Sequence, residues 1–279
     1  MMTPKRPIIG RLATAAAAFV CGAVVTLASS GAGAQAPVPP PVQGHFDPKG
    51  KPPSKFTKAV LEEQKASLPF ADKRDFEEQA KGFIAPMPDL KIMADDGHVA
   101  WDMERFGFLK TGKDFDSVHP SLERQSVLNM NYGLYEVIPG IYQVRGFDLA
   151  DISFVRGKTG WIVIDPLTTR EPAAAAWKLF QQHVGEGLPV TAVIYSHSHG
   201  DHWGGVRGIV DEADVRSGKV AVIAPRDFMN QTISENVYAG NAMNRRLFYQ
   251  YGVLLPVSPY GYVTQGLGHG ISRGTSGLV

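Results

Sequence analysis

The pattern of apolar and polar residues is clearest in the second half of the chain. Short apolar runs separated by turn residues predict four strands, at residues 134–138, 141–144, 152–155 and 161–164. The period then changes to that of a helix over residues 173–180, with Pro172 near its first turn. Two nearly continuous apolar runs are typical of strands covered on both faces, at residues 190–194 and 220–224. Hairpins followed by alternating strands and helices predict a layered α/β domain.

The region before these strands has a weaker pattern. Apolar residues spread among charges predict two helices between residues 55 and 82, separated by Pro69. Residues 87–127 mix aromatic residues with glycine and aspartate and show no clear period. This mixture predicts an ordered loop that covers part of the core.

The region after the strands also contains helical patterns. Helices are predicted over residues 227–239 and 242–251, and Gly204-Gly205-Val206 is expected to open another helix. The tail from Pro256 is rich in glycine and proline and contains no convincing strand. The pattern therefore predicts about half of a layered α/β domain.

The N-terminus has the pattern of a secretory signal. Three basic residues precede an apolar, alanine-rich segment, and small residues at 32–34 offer a cleavage point before Gln35. A transmembrane anchor is the alternative, but the apolar segment is short for a spanning helix. The single cysteine, Cys21, lies inside this segment, so the mature chain would have no thiol. These features predict a periplasmic or secreted protein without a membrane span after signal cleavage.

Composition and charge exclude one class of function. Hydrophobic residues make up 44% of the chain and charged residues 20%, as in ordinary globular proteins. The formal net charge of +1 falls to −2 once the three basic residues of the leader are removed, which argues against nucleic-acid binding. Four segments are predicted: a signal peptide (1–34), a proline-rich linker (35–54), a helical and loop extension (55–130) and the α/β domain (131–279).

A histidine-rich motif follows the predicted strand at 190–194. Its sequence is His197-Ser198-His199-Gly200-Asp201-His202, and imidazole and carboxylate groups are ligands that suit Zn²⁺. Alternation places His197 and His199 on one side of an extended loop, and Asp201 and His202 then turn to a second position. This arrangement can serve two metal ions that share a hydroxide. The alternative is a solvated cluster of histidines at the surface.

The motif matches the His-x-His-x-Asp-His signature of the metallo-β-lactamase fold. Four further segments resemble those of the secreted alkylsulfatases of that superfamily, at residues 117–122, 140–146, 160–166 and 240–246. The resemblance extends from about Phe56 to the end of the chain. It implies a metallo-β-lactamase αββα sandwich of which the N-terminal half is present.

The resemblance also implies a chemistry. It implies a binuclear zinc hydrolase that cleaves alkyl sulfate esters with a metal-bound hydroxide, and a homodimer in the family. His197 and His199 would hold one Zn²⁺, Asp201 and His202 would hold the second, and Asp201 would also be catalytic. In the family, two glutamates, a histidine and a dimerisation region follow later, and these 279 residues do not contain them. We therefore expect this chain alone to be inactive and to bind fewer than two zinc ions tightly.

Several other residues are candidates for the site. Asp165 could orient a metal-bound histidine, or it could be an ordinary turn residue ahead of Pro166. Three residues at 241–246 could reach a sulfate group, or they could form a solvated helix face: Asn241, Arg245 and Arg246. His269 is a further possible ligand. Two other functions stay open, namely a lactamase or phosphoesterase of the same fold, and an inactive truncated fragment with weak metal binding.

Overall fold

The computed structural model describes residues 49–89, 91–113 and 115–279. The predicted signal peptide and residues 35–48 of the predicted linker lie outside the described residues. Within the described part of the chain, no helix is both long and apolar enough to cross a membrane.

Seven strands form one mixed sheet, and their order across the sheet is their order along the chain. Numbered in chain order, they are β1 (Phe83–Ala85), β4 (Gly133–Ile138), β5 (Ile141–Arg145), β6 (Ile152–Arg156), β7 (Trp161–Ile164), β8 (Val190–Ile194) and β9 (Ala221–Ile223). Neighbouring strands from β1 to β7 are antiparallel, whereas β7, β8 and β9 run parallel to one another. The strands predicted from the apolar runs are confirmed to within about two residues at their ends.

Seven α-helices and a two-stranded hairpin surround this sheet in the described residues. The helices are α1 (Lys55–Ser67), α2 (Arg74–Ala80), α3 (Pro120–Leu128), α4 (Arg170–His183), α5 (Glu212–Arg216), α6 (Phe228–Ile233) and α7 (Gly240–Tyr251). The hairpin consists of β2 (Lys91–Met93) and β3 (Val99–Asp102). The predicted pair of helices before residue 82 is confirmed.

Two of the weaker predictions are wrong. Residues 87–127 contain regular structure rather than only loop: the β2–β3 hairpin, a 3-10 helix at Glu104–Thr111 and most of α3. The hairpin strands are too short to show a period, and α3 begins because the His119 ring accepts a hydrogen bond from the backbone N–H of Ser121. At residues 204–206 no α-helix opens, and only a 3-10 turn forms at Val206–Gly208.

The glycines at 204 and 205 serve close packing instead of helix formation. A Cβ atom on Gly205 would lie 2.2 Å from the Pro166 carbonyl oxygen and 2.6 Å from that of Thr169. The backbone N–H of Gly205 donates to the Leu167 carbonyl at 2.9 Å. The chain after the histidine motif therefore lies directly against the β7–α4 loop.

A large part of the core lies between the sheet and α4. The buried residues of α4 include Ala173, Ala176 and Phe180, which are three or four residues apart, as expected for an amphipathic helix. The Phe180 ring stacks on Phe154 of β6 at 4.1 Å and meets the edge of Trp161 of β7 at 4.7 Å. This packing fixes α4 over the central strands and so fixes the loop that connects β7 to α4.

The predicted extension contributes to the sheet. Its strand β1 pairs with β4 and forms one edge of the seven-stranded sheet. Gly50 of the predicted linker forms a bridge with Tyr260. The boundary near residue 130 stays a prediction, and the α/β class of the fold is confirmed.

Candidate functional site

The histidine loop, residues 196–203, lies at the carboxyl edge of the parallel part of the sheet. Strands β7 and β8 pair in parallel, so the residues that follow them meet at the same edge. Asp165 follows β7, and the histidine loop follows β8 after Tyr195. Ligand sites in open α/β sheets occur at this edge.

The structure brings the three predicted histidines together. The ring centres of His197 and His199 are 4.6 Å apart, and those of His197 and His202 are 4.0 Å apart. Asp201 joins the group through its Oδ2, which lies 3.1 Å from Nε2 of His202. All four predicted ligands therefore lie in one cluster.

Asp165 positions this cluster from the neighbouring strand. Its carboxylate accepts hydrogen bonds from Nδ1 of His202 at 2.9 Å and from the backbone N–H and hydroxyl of Ser196 at 2.8 and 2.6 Å. Asp165 and Leu167 both have positive φ, at 55° and 62°, which costs backbone energy for non-glycine residues. These contacts favour the orienting role of Asp165 over that of an ordinary turn residue.

Burial and neighbouring charges shift several pKa values in the cluster. Burial alone would lower the pKa of His202, but hydrogen bonds to Asp165 and Asp201 outweigh it and raise the pKa to about 9. Burial lowers the pKa of His197, and the other two histidines lower it further. Because a histidine ligates a metal in its neutral form, an incoming ion would displace the His202 proton.

Glu235 is a member of the site that sequence reasoning did not assign. It lies in a π-helical turn, Ser234–Tyr238, between α6 and α7. Its Oε1 is 3.0 Å from Nε2 of His199, and its Oε2 accepts a hydrogen bond from the Ser198 hydroxyl at 3.3 Å. The one available signal was its position as the last acidic residue of the chain. Because Glu235 is 36 residues from His199 in the chain, the sequence pattern does not predict their contact.

The imidazole and carboxylate groups of the cluster are of the types that bind zinc, but their arrangement does not provide a complete zinc site. Imidazole nitrogen and carboxylate oxygen are the ligands that zinc takes, and a catalytic zinc has three of them from the protein. In the described ranges, no three histidine, cysteine, aspartate or glutamate side chains are arranged to hold one metal ion. The ligand assignments of His197, His199, Asp201 and His202 stay predictions.

The other candidates lie apart from the histidine loop. Asn241, Arg245 and Arg246 are exposed on α7, and no hydrogen bond or ion pair holds them among the described residues. Their predicted role in substrate binding is untested. His269 is buried, stacks on Phe106 at 4.5 Å and hydrogen-bonds through Nδ1 to the Val263 carbonyl. None of these contacts involves the histidine loop.

Comparison with known proteins agrees with this geometry. The family profile of the metallo-beta-lactamase superfamily matches residues 145–275. An alkyl/aryl-sulfatase of Saccharomyces cerevisiae, BDS1, is 47% identical over 222 residues, which are 80% of this chain and 34% of that protein. A linear primary-alkylsulfatase of Pseudomonas sp. is 48% identical over 230 residues, which are 82% of this chain and 34% of that protein.

A solved structure of an alkylsulfatase is also similar to this chain. The stereoselective inverting sec-alkylsulfatase Pisa1 from Pseudomonas sp. superposes with a TM-score of 0.77 and 46% identity. The match covers 84% of this chain and 37% of Pisa1. The chain thus spans about a third of the length of the relatives that it matches. Residues 145–275 of this chain thus match the metallo-β-lactamase superfamily, and about four fifths of the chain is similar to the alkylsulfatases.

Proposed function

We propose that this chain carries the first metal-binding segment of a zinc-dependent hydrolase of alkyl sulfate esters. One observation carries the proposal: the histidine loop follows β8 with His202 held by Asp165, in a chain that is 48% identical to a linear primary-alkylsulfatase. The protein is proposed to act in the periplasm or outside the cell as a homodimer. Its partner is a small alkyl sulfate rather than a nucleic acid.

The proposed roles of the loop residues follow from their chemistry. His197 and His199 would contribute to one zinc, and Asp201 and His202 to a second. A zinc ion lowers the pKa of a bound water and so supplies a nucleophile near neutral pH. Asp165 would hold the His202 ring in one orientation and tautomer, as carboxylates beside ligating histidines do.

Glu235 would act on His199 in a similar way. Its carboxylate already contacts Nε2 of His199 and the hydroxyl of Ser198, so it restrains both side chains. An imidazole that ligates through one nitrogen can donate through the other, and a carboxylate is a suitable acceptor. The pair of carboxylates, Asp165 and Glu235, would therefore fix two histidines of the loop from two different elements.

Helix α7 offers groups for the sulfate. A guanidinium presents several N–H donors in one plane and suits oxyanions with several oxygens. Arg245 and Arg246 are exposed and have no acidic partner among the described residues. We propose that these arginines and Asn241 bind the sulfate group of the substrate.

Hydrolysis assays with the whole gene product that carries this chain test the proposal. Release of sulfate from dodecyl sulfate should exceed hydrolysis of a cephalosporin or a phosphodiester, and a zinc chelator should abolish it. His199→Ala should remove the activity, while the exposed His183→Ala should retain it. Preferred cleavage of the cephalosporin or the phosphodiester would assign another hydrolase of this fold. Full activity in His199→Ala would remove His199 from the site.

A further inference from the structure

Asp148 is a buried acidic residue that lies outside the histidine loop, in the turn between β5 and β6. It is only 1% exposed. Its carboxylate accepts hydrogen bonds from the backbone N–H groups of Leu149, Thr168 and Ser272 at 2.8, 3.0 and 2.9 Å. The hydroxyl of Ser272 is a fourth donor. Because burial of a carboxylate is costly unless it is hydrogen-bonded, these donors are what allows Asp148 to occupy this position.

The four donors come from three separate segments of the chain. Leu149 belongs to the β5–β6 turn, Thr168 to the β7–α4 loop (residues 165–169) and Ser272 to the tail. The hydroxyl groups of Ser272 and Thr169 also share a hydrogen bond of 2.6 Å. The Asp148 carboxylate therefore joins the β7–α4 loop to the turn on one side and to the tail on the other.

The β7–α4 loop connects Asp148 with the histidine loop. Thr168 is three residues after Asp165, whose carboxylate accepts from Nδ1 of His202 at 2.9 Å. Asp165 and Leu167 have φ angles of 55° and 62°, and a backbone of this kind persists only where the surrounding contacts hold it. The hydrogen bond from Thr168 to Asp148 is one of these contacts.

The hydrogen bonds of Asp148 require a carboxylate rather than an amide of the same size. Oδ1 accepts from the backbone N–H groups of Leu149 and Ser272, and Oδ2 accepts from the backbone N–H of Thr168 and the hydroxyl of Ser272. Both oxygens are thus acceptors. Asparagine offers one acceptor oxygen, and its NH₂ group would face donors. Asp148→Asn therefore keeps the volume of the side chain and disrupts these contacts.

We propose that Asp148 is a positioning residue of the histidine loop: through Thr168 it fixes the β7–α4 loop, and Asp165 in turn holds the His202 ring in one orientation. The inference rests on the proposed function only in that His202 would be a zinc ligand. Its test uses the metal-free chain and measures no turnover. Failure of the proposed sulfatase activity is therefore distinguishable from failure of the role of Asp148.

Nuclear magnetic resonance of the ¹⁵N-histidine-labelled 279-residue chain, freed of metal, measures how firmly the His202 ring is held. The proton on Nδ1 of His202 is bound to Asp165, and the variant His202→Gln identifies its resonance. Asp148→Asn should speed exchange of this proton with water about tenfold. Asp165→Asn, which changes the acceptor itself, should speed it at least as much. Phe180→Leu should leave it unchanged, because the ring of Phe180 stacks on residues outside the β7–α4 loop.

Hydrogen exchange of backbone amides separates positioning of the site from a general loss of stability. In Asp148→Asn, the amides of Thr168 and Ser196 should exchange about tenfold faster. The Ser196 amide donates to Asp165, so a change there reports movement of the β7–α4 loop. The amides of β4 and β5 should be unchanged. Ser272→Ala removes one of the four donors and should produce the same changes, about threefold in size.

Three results would overturn the proposal. One is an unchanged His202 ring and Ser196 amide in folded Asp148→Asn. The second is a change confined to Thr168 and the tail, which would show that Asp148 only anchors those segments. The third is an equal change in Phe180→Leu, which would show that any loss of stability loosens the His202 ring. If Asp148→Asn fails to fold, the same results are decided with Ser272→Ala.

Discussion

The buried imidazole of His269 predicts that acidification lowers the free energy of unfolding. Burial lowers its pKa from 6.5 to about 4, and backbone hydrogen bonds with Val263 and Asn129 oppose this only in part. The folded state therefore binds fewer protons than the unfolded state between these two values. The contribution of His269 to the free energy of unfolding is then fully present above about pH 6.5 and is lost as the pH drops towards about 4.

The size of the pKa shift of His269 sets how much the free energy of unfolding changes with pH. A difference of about 2.5 pKa units corresponds to about 3 kcal/mol once both states are protonated. At about pH 5 the unfolded imidazole is protonated and the folded one is mostly not, so about 2 kcal/mol is lost relative to about pH 7.5. A loss of this size is a large fraction of the stability of an ordinary domain.

Urea unfolding at the two pH values measures this effect. Other groups titrate in the same range, so the informative quantity is the difference between the wild type and His269→Gln, which cannot be protonated. The variant should lose about 2 kcal/mol less than the wild type on acidification. His183→Gln, at an exposed position, should behave as the wild type does. Parallel pH profiles for wild type and His269→Gln would refute the assignment of a neutral, buried His269.

Three further substitutions test the packing and the site. Phe180→Ala should lower the free energy of unfolding by about 3–5 kcal/mol because its ring fills the core, while the exposed Phe56→Ala should change it by less than about 0.5 kcal/mol; equal urea midpoints would contradict this. Gly205→Ala should cost about 3 kcal/mol because its Cβ would meet backbone oxygen, while Gly107→Ala, with open space around it, should be near neutral. Asp165→Asn should weaken zinc binding about 10- to 100-fold in a chelator competition; an unchanged affinity would exclude its orienting role.

The parts of the fold that could be predicted are those with a local signal. Strand β8 is a continuous apolar run, and the histidine loop follows it as a compact motif. The β2–β3 hairpin could not be predicted because strands of three and four residues show no period. The role of Gly205 was also hidden, because it depends on carbonyl groups almost 40 residues earlier in the chain.

In the site, too, residues with a local sequence signal could be predicted, and those brought together only by the tertiary structure could not. The four residues of the motif were predicted from their spacing, and the structure places them in one cluster. Glu235 was not assigned, because its contact with His199 depends on how the segment between α6 and α7 folds back over the loop.

Zinc titration of the 279-residue chain measures most directly whether the histidine loop binds a transition metal. We expect fewer than two equivalents of zinc to bind tightly, and this binding should disappear in the double variant His197→Ala/His202→Ala. His183→Ala should bind zinc as the wild type does. Zinc binding of unchanged stoichiometry and affinity in the double variant would show that the histidine loop does not hold the metal.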